Sequence, residues 1–591
     1  MGSEVCALNT LLLLLFCSTS PPVVLANTTR ILVVQFFSRP PHHTQLSYSL
    51  ACSLFLAQLL PHFLLYSVIS SSELSHSLSE HSQHSSANQL CTEMASKKKM
   101  GYKCRIAGVM LLLIGSIAAL VVVSVIQDKL KVKEYGLEYG IVIDSGSSRS
   151  NVYLYEWPGE KENETGVVTE KMNCKVKGVP ISELKVSSKE YKTTLNGFQD
   201  CMDEIRKHIP EEKQKTTPLF LGATAGMRLL DVEDKKRSNE VMTSLRDYLS
   251  GQNFHFHNAS IITGQEEGLY GWITVNYLMG NFLERNMWNT YVRPNGAETV
   301  GSMDLGGAST QIAFQVQEQG QGPDYMLVKL YGYPYTVYTH SFLCYGKNEA
   351  DKRVLDKLIK GSSGYIVNPC YPKGFNTTIK ASAIYDTECT IKPKNYNPDQ
   401  EFYMFGSSDS KKCGELVKSI FDFDNCSSKQ CSFNGVEQPP VTGEFMAYAG
   451  FYFIAQALEQ SGVSNLEQFN ISVGNFCRTH WTELKAQKHR ILDKYLKTYC
   501  FASHYVLTLL ADGYKFDDET WENIHFEKEI KETNIGWSLG YMLRMSNMIP
   551  SEVKEILPMT NPVFAGLIFL FSALIIVTVI LGFIILLRTC Y

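Results

Sequence analysis

The spacing of apolar and polar positions divides the chain before any chemistry is considered. Residues 106–126 carry no charge and are rich in Leu, Ile and Val, and residues 563–587 form a second uncharged run. At about 1.5 Å of rise per residue, helices of this length span the hydrocarbon core of a bilayer. Between the two runs the apolar stretches are short. Ile141, Val142 and Ile143 read as a strand ending at Asp144, followed by a turn of Gly and hydroxyl residues and a second strand-like run from Val152 to Tyr155. Leu219 and Phe220 lead into the small-residue turn Gly222 to Arg228, which opens a predicted helix, and Ile261 and Ile262 end a strand just before Glu266 and Glu267.

Charge orients the apolar runs. Lys97, Lys98, Lys99, Lys103 and Arg105 precede the first and Arg588 follows the second, which predicts that both termini are cytosolic and that everything between faces outside. The formal net charge of −4 gives no electrostatic footprint for nucleic acid, and 19% charged against 45% hydrophobic residues excludes a disordered chain. Of the 16 cysteines, Cys174, Cys201, Cys344, Cys370, Cys389, Cys413, Cys426, Cys431, Cys477 and Cys500 lie between the runs, an even set open to several disulfide pairings. None has the C-x₂-C spacing of a zinc site. Sequons at Asn163, Asn258, Asn376, Asn425 and Asn470 fall in the same segment, as an exported domain allows.

Residues 1–93 read differently. Leu11 to Phe16 resembles a signal-peptide core, a further apolar stretch is broken by Gln58, Pro61 and His62, and residues 71–88 are a Ser- and His-rich solvated linker. The expectation is that the functional protein starts at or near Met94, with a basic cytosolic tail over residues 94–105 and a short one over 588–591. Small residues in the membrane runs, among them Gly115, Ala119, Gly566 and Gly582, permit close helix packing and so a homo-oligomer.

The strand–Asp–small-turn–strand pattern occurs twice, at Gly140 to Tyr155 and at Met303 to Phe314. Small residues in a tight hairpin let backbone N–H groups approach a phosphate, and an Asp at the strand end holds a hydrated cation of the oxygen-preferring kind. Two copies imply duplicated lobes facing each other across a cleft. A glutamate near a bound phosphate is a natural general base for water. Walker A and G-x-S-x-G motifs are absent, which excludes P-loop nucleotide binding and a nucleophile elbow.

Together with Leu221 to Leu230, Ile261 to Trp272 and Cys431 to Phe453, these two segments resemble the five apyrase regions of the ecto-nucleoside triphosphate diphosphohydrolases, over nearly all of residues 94–591. Arg149, Gly280 to Trp288 and Leu330 to Asn348 resemble the third of the cell-surface types. The resemblance implies an α/β, two-lobed ectodomain of the actin, sugar-kinase and Hsp70 superfamily (RNase H-like) flanked by two transmembrane helices. Its parts would be lobe I over 135–262, lobe II over 263–527 and a return segment over 528–556. It implies removal of terminal phosphate from extracellular ATP, ADP, UTP and UDP at the plasma membrane, dependent on Ca²⁺ or Mg²⁺.

By motif position, Glu267 would be the catalytic base, with Thr224, Ser309 and Gln311 placing the attacking water. Asp144 and Asp304 would hold the cation through its waters. Ser147, Ser148, Arg149, Gly306, Gly307 and Ala308 would cradle the phosphates, and Lys347, Phe451 and Tyr452 would clamp the base. The implied bridges are Cys174–Cys201, Cys344–Cys389, Cys370–Cys413, Cys426–Cys431 and Cys477–Cys500. Ser145 departs from the family's usual Ala, and Lys347 stands where some members have Arg. The competing readings are a catalytically silent nucleotide-binding or adhesion receptor ectodomain, and a nucleotidase of an intracellular lumen.

Overall fold

The computed structural model describes residues 87–590 apart from 131, 289, 319, 361, 363, 426–429, 463, 551 and 552; most of the leading segment, including its signal-like core, lies outside the described residues. The chain divides into two units, one holding the outer parts of the terminal helices and the other running from Ala118 to Phe571.

The N-terminal helix Ala87–Lys129 and the C-terminal helix Asn561–Cys590, whose outer parts belong to the first unit, each contain a stretch long and apolar enough to cross a membrane, Met100–Lys129 and Asn561–Arg588. Both predicted spans, 106–126 and 563–587, lie within them. Only 6% of each apolar window is buried, so these are not core helices of a soluble fold. Gly582 packs beside Val109, where an added Cβ would meet Cγ1 at 3.8 Å.

In the second unit, the strand Val132–Tyr135 pairs antiparallel with Val553–Ile556, so the chain enters and leaves side by side. The first sheet contains β1 (Leu137–Ser145), β2 (Ser150–Pro158), β3 (Thr169–Lys175), β4 (Pro218–Ala223) and β5 (His255–Ile261), in the order β3-β2-β1-β4-β5. The hairpins β1–β2 and β2–β3 are antiparallel, while β1–β4 and β4–β5 are parallel. The inner strands β1 and β4 are covered on both faces, which is why they read as continuous apolar runs and not as alternation. One face carries α1 (Lys189–Arg206), α2 (Ala225–Glu233) and α3 (Lys235–Ser250), whose apolar stripes close a core around Ile141, Ile143, Leu219 and Leu221.

Helix α4 (Gly264–Met279) follows, its start fixed by a capping box between Thr263 and Glu266. The second sheet then repeats the first. It contains β6 (Gly301–Leu305), β7 (Ser309–Gln315), β8 (Tyr325–Leu330), β9 (Tyr333–Leu343), β10 (Phe445–Ala449) and β11 (Ile524–Phe526), in the order β8-β9-β7-β6-β10-β11. Again a leading strand, β6, pairs antiparallel with its hairpin partner β7 and parallel with β10, and β10 pairs parallel with β11. Strand β8 is an addition at the edge.

Two short helices bear on the site: α5 (Lys347–Ile359) after β9 and α6 (Gly450–Ala457) after β10. The last ectodomain helix, α7 (Trp537–Ser546), returns to the first sheet and packs on α4, where Thr274 Oγ1 donates to the Gly536 carbonyl at 2.6 Å and accepts from the Gly540 N–H at 2.9 Å. Between the sheets, Val142, Phe220, Trp272, Met446, Trp537 and Met542 belong to one buried cluster. The disulfides Cys174–Cys201, Cys344–Cys389, Cys370–Cys413 and Cys477–Cys500 form as the resemblance implied. Cys431 is disulfide-bonded too, and the expected partner Cys426 lies outside the described residues.

Candidate active site

Both leading strands end in the same turn. The Gly146 N–H donates to the Arg149 carbonyl at 3.0 Å, and the Gly306 N–H donates to the Ser309 carbonyl at 3.0 Å. Each loop is thus a tight hairpin of small residues closed by an equivalent hydrogen bond. The loops face each other. A Cβ on Gly307 would stand 2.7 Å from Ser147 Oγ and 3.2 Å from Ser148 Oγ, so only a glycine lets the second loop come this near the first.

Around the loops lies a cleft of about 370 Å³ lined by Asp144, Ser147, Ser148, Arg149, Thr224, Glu267, Asp304, Gly306, Gly307, Ala308 and Ser309. Asp144 and Asp304 occupy matching places, one residue before Ser145 and Leu305, the last residues of β1 and β6. Thr224 and Ala449 precede α2 and α6 at matching places too; Ala449 holds a positive φ of 54° in the cleft wall, a strained conformation for a residue with a Cβ.

Glu267 is held in the first turn of α4. Arg228 Nη2 donates to its Oε2 at 2.7 Å and Gln311 Nε2 donates to the same oxygen at 3.1 Å. The same two groups reach Ser309 Oγ, at 3.1 and 2.7 Å, so Glu267, Ser309 and Gln311 form one network. Among the described residues no hydrogen bond engages Glu267 Oε1. Asp144 accepts from the Trp537 indole N–H at 2.9 Å, and Gly222 makes room for that ring, since a Cβ there would fall 2.3 Å from Cη2 of Trp537. Burial pushes the Asp144 carboxyl up to about 7, opposed by the Trp537 hydrogen bond and reinforced by the Glu267 charge. Burial holds Asp304 well above the carboxylate range, with Glu267 and Asp144 adding to it, and no described donor reaches its carboxylate. Three carboxylates gathered at one cleft, one of them without a donor, offer oxygen ligands that fit a hard divalent cation.

The base clamp expected from Lys347, Phe451 and Tyr452 is not assembled. Phe451 is fully buried in the core of the second sheet. Two residues on, and about 200° around the helix, Phe453 is 48% exposed and lines the cleft. Tyr452 bonds Gln456 through its hydroxyl at 2.9 Å and touches the Phe453 ring edge-on. The Lys347 backbone N–H bonds the Gly306 carbonyl at 2.9 Å, but its side chain lines a separate cavity beside Asp351.

Several cleft residues carry no motif signal: Trp537, Lys528, Asn534 and Ile535 arrive from the return segment and Asn173 from the first sheet, while Asn151 and Tyr153 lie inside the first motif without having been singled out. Arg228 ends the motif that begins at Gly222, so its position was marked in the sequence although its carboxylate partner was not.

Duplicated α/β lobes with paired hairpin loops and an acidic cleft define a two-lobed phosphate-handling enzyme of the actin-like architecture. The chain belongs to the GDA1/CD39 (nucleoside phosphatase) family, whose pattern matches residues 131–559. It is 46% identical over 473 residues to human ectonucleoside triphosphate diphosphohydrolase 3, covering 78% of this chain and 89% of that protein. It is 41% identical over 474 residues to mouse ectonucleoside triphosphate diphosphohydrolase 1, covering 79% of this chain and 92% of that protein. Among solved structures, a nucleoside triphosphate hydrolase from Neospora caninum shares the fold, with a TM-score of 0.52 at 15% identity over 77% of this chain and 97% of that one.

Proposed function

We propose that this protein removes terminal phosphate from extracellular nucleoside tri- and diphosphates, leaving the monophosphate. The observation that carries the reading is the meeting, in one cleft, of two equivalent phosphate-sized loops with Asp144, Asp304 and Glu267. Small-residue loops offer their N–H groups and the Ser147 and Ser148 hydroxyls to phosphate oxygens, and Arg149 adds a positive charge at the rim. The Glu267 Oε1 edge is left for a water, whose proton it takes as the water attacks the terminal phosphorus. Arg228 and Gln311 keep that carboxylate oriented, while Ser309, through the same network, and Thr224, on the cleft wall, help place the water. Asp144 and Asp304 would hold Ca²⁺ or Mg²⁺ through its waters. When bound, the cation neutralises charge that builds on the phosphate oxygens. The nucleotide base rests against Phe453.

The basic residues before the first span support a topology with both termini in the cytosol and the cleft outside the plasma membrane. Surface biotinylation of intact cells tests this; recovery only after permeabilisation would move the enzyme to an internal lumen. For the chemistry, phosphate release by the full-length protein from ATP, ADP, UTP and UDP is measured under Ca²⁺ and under Mg²⁺. Release dependent on either cation supports the reading. Nucleotide binding with no release from any of the four would favour the silent receptor ectodomain.

A further inference from the structure

At the edge of the first sheet, outside the lining of the carboxylate cleft, strand β5 carries His255 and His257 two residues apart. Their rings lie with centroids 5.0 Å apart, and both side chains are exposed. Side chains two apart on a strand share a face. Here the register between β4 and β5 slips, Leu219 facing Phe256 and Phe220 facing Asn258, so His257 is the extra residue of a bulge and has no partner opposite. Bulges re-aim a side chain and leave its residue unpaired. The His257 ring stacks on Phe220 at 5.0 Å with a 26° interplanar angle, and Phe220 is in turn held edge-on by Tyr541. That stack fixes the plane of an exposed imidazole. Among the described residues no hydrogen bond engages a ring nitrogen of either histidine.

We propose that His255 and His257 form a surface chelate for a divalent ion of the imidazole-preferring kind, Zn²⁺ or Cu²⁺, separate from the catalytic cation. Zn–N bonds of about 2.0–2.1 Å in tetrahedral geometry put two nitrogens about 3.3 Å apart, a separation within reach of rings whose centroids are 5.0 Å apart. Waters complete the coordination. The two sites select different ions: carboxylates in the cleft suit Mg²⁺ and Ca²⁺, and paired imidazoles suit Zn²⁺ and Cu²⁺.

The test uses the full-length protein in detergent with saturating Mg²⁺. Zn²⁺ is titrated calorimetrically into the parent, into His255→Ala, into His257→Ala and into the double variant. Histidines of the leading segment, including His76, His81 and His84, give the same background in all four. The expected result is one equivalent present in the parent and missing from the double variant, with affinity reduced at least tenfold in each single variant. Cu²⁺ added to the parent should show electron-spin resonance splitting from two nitrogens, and the single variants from one fewer. Equal stoichiometry in parent and double variant overturns the proposal, as does full affinity in either single variant. Melting curves confirm that the exposed substitutions leave the fold intact.

Discussion

Replacing Glu267 by Gln separates the chemical role of this side chain from its structural one. Two donors converge on Oε2, Arg228 at 2.7 Å and Gln311 at 3.1 Å, and a glutamine oxygen accepts both. Turning charge-assisted bonds into neutral ones costs about 1 kcal/mol. In the opposite direction, the Glu267 charge pushes up the carboxyls of Asp144 and Asp304, and its removal relieves both. The two effects offset, so the melting temperature should stay within about 3 °C of the parent. Loss of a positioned general base costs about 10² to 10⁴ in rate, or about 3–5 kcal/mol of barrier. Because Glu267 belongs to neither phosphate loop, KM should move little while kcat falls. Phosphate release from ATP and from UDP at saturating Mg²⁺, with melting curves on the same samples, measures both. A normally folded variant with kcat within about tenfold of the parent would refute the assignment of Glu267 as base; a melting temperature lowered by 10 °C or more would make its role structural.

Other perturbations test other parts of the argument. Gly307→Ala places a methyl 2.7 Å from Ser147 Oγ and 3.0 Å from Asn348 Nδ2, so KM for ATP should rise about tenfold with little change in melting temperature; an unchanged KM would mean the loops do not meet around the phosphates. Trp537→Phe removes the N–H that helps keep Asp144 ionised, a bond to a charged group worth about 1.5–3 kcal/mol. The activity deficit should be larger at pH 6 than at pH 8, and an equal deficit at both would detach Asp144 from catalysis. His504, bonded to Ser410 at 3.0 Å, is held by burial at about 4 while an unfolded histidine titrates near 6.5. The unfolded chain therefore binds the extra proton first, and the stability present above pH 6.5 is lost as pH falls to about 4, by about 3 kcal/mol. His504→Gln should narrow the gap between melting temperatures at pH 7 and pH 4.5, and an unchanged gap would count against the buried neutral imidazole.

The features legible in the sequence are those whose physics is local. A run of some twenty uncharged apolar residues is a membrane-length helix whatever surrounds it, and both runs became such helices. A tight turn needs Gly and small hydroxyl residues at fixed offsets, so the hairpins after Asp144 and Asp304 were visible as motifs, and their repetition announced two sheets built alike. The base clamp expected from Lys347, Phe451 and Tyr452 does not assemble, for an equally local reason. In Gly450 to Phe453 three aromatic residues follow one another, and no periodicity in so short a run says which side of the helix faces the core. Packing of Phe451 against the second sheet decided it and left Phe453 to the cleft.

The sequence by itself determined the membrane-length apolar helices, the paired loops and the acidic residues beside them, because spacing and turn chemistry act over a few residues. Tertiary structure alone decided what those residues touch. The Trp537–Asp144 bond joins positions 393 residues apart, and the Arg228–Glu267 pair exists only because α2 and α4 start from neighbouring strand ends. Such contacts are fixed by the twist and stacking of whole sheets, which no short stretch of chain encodes.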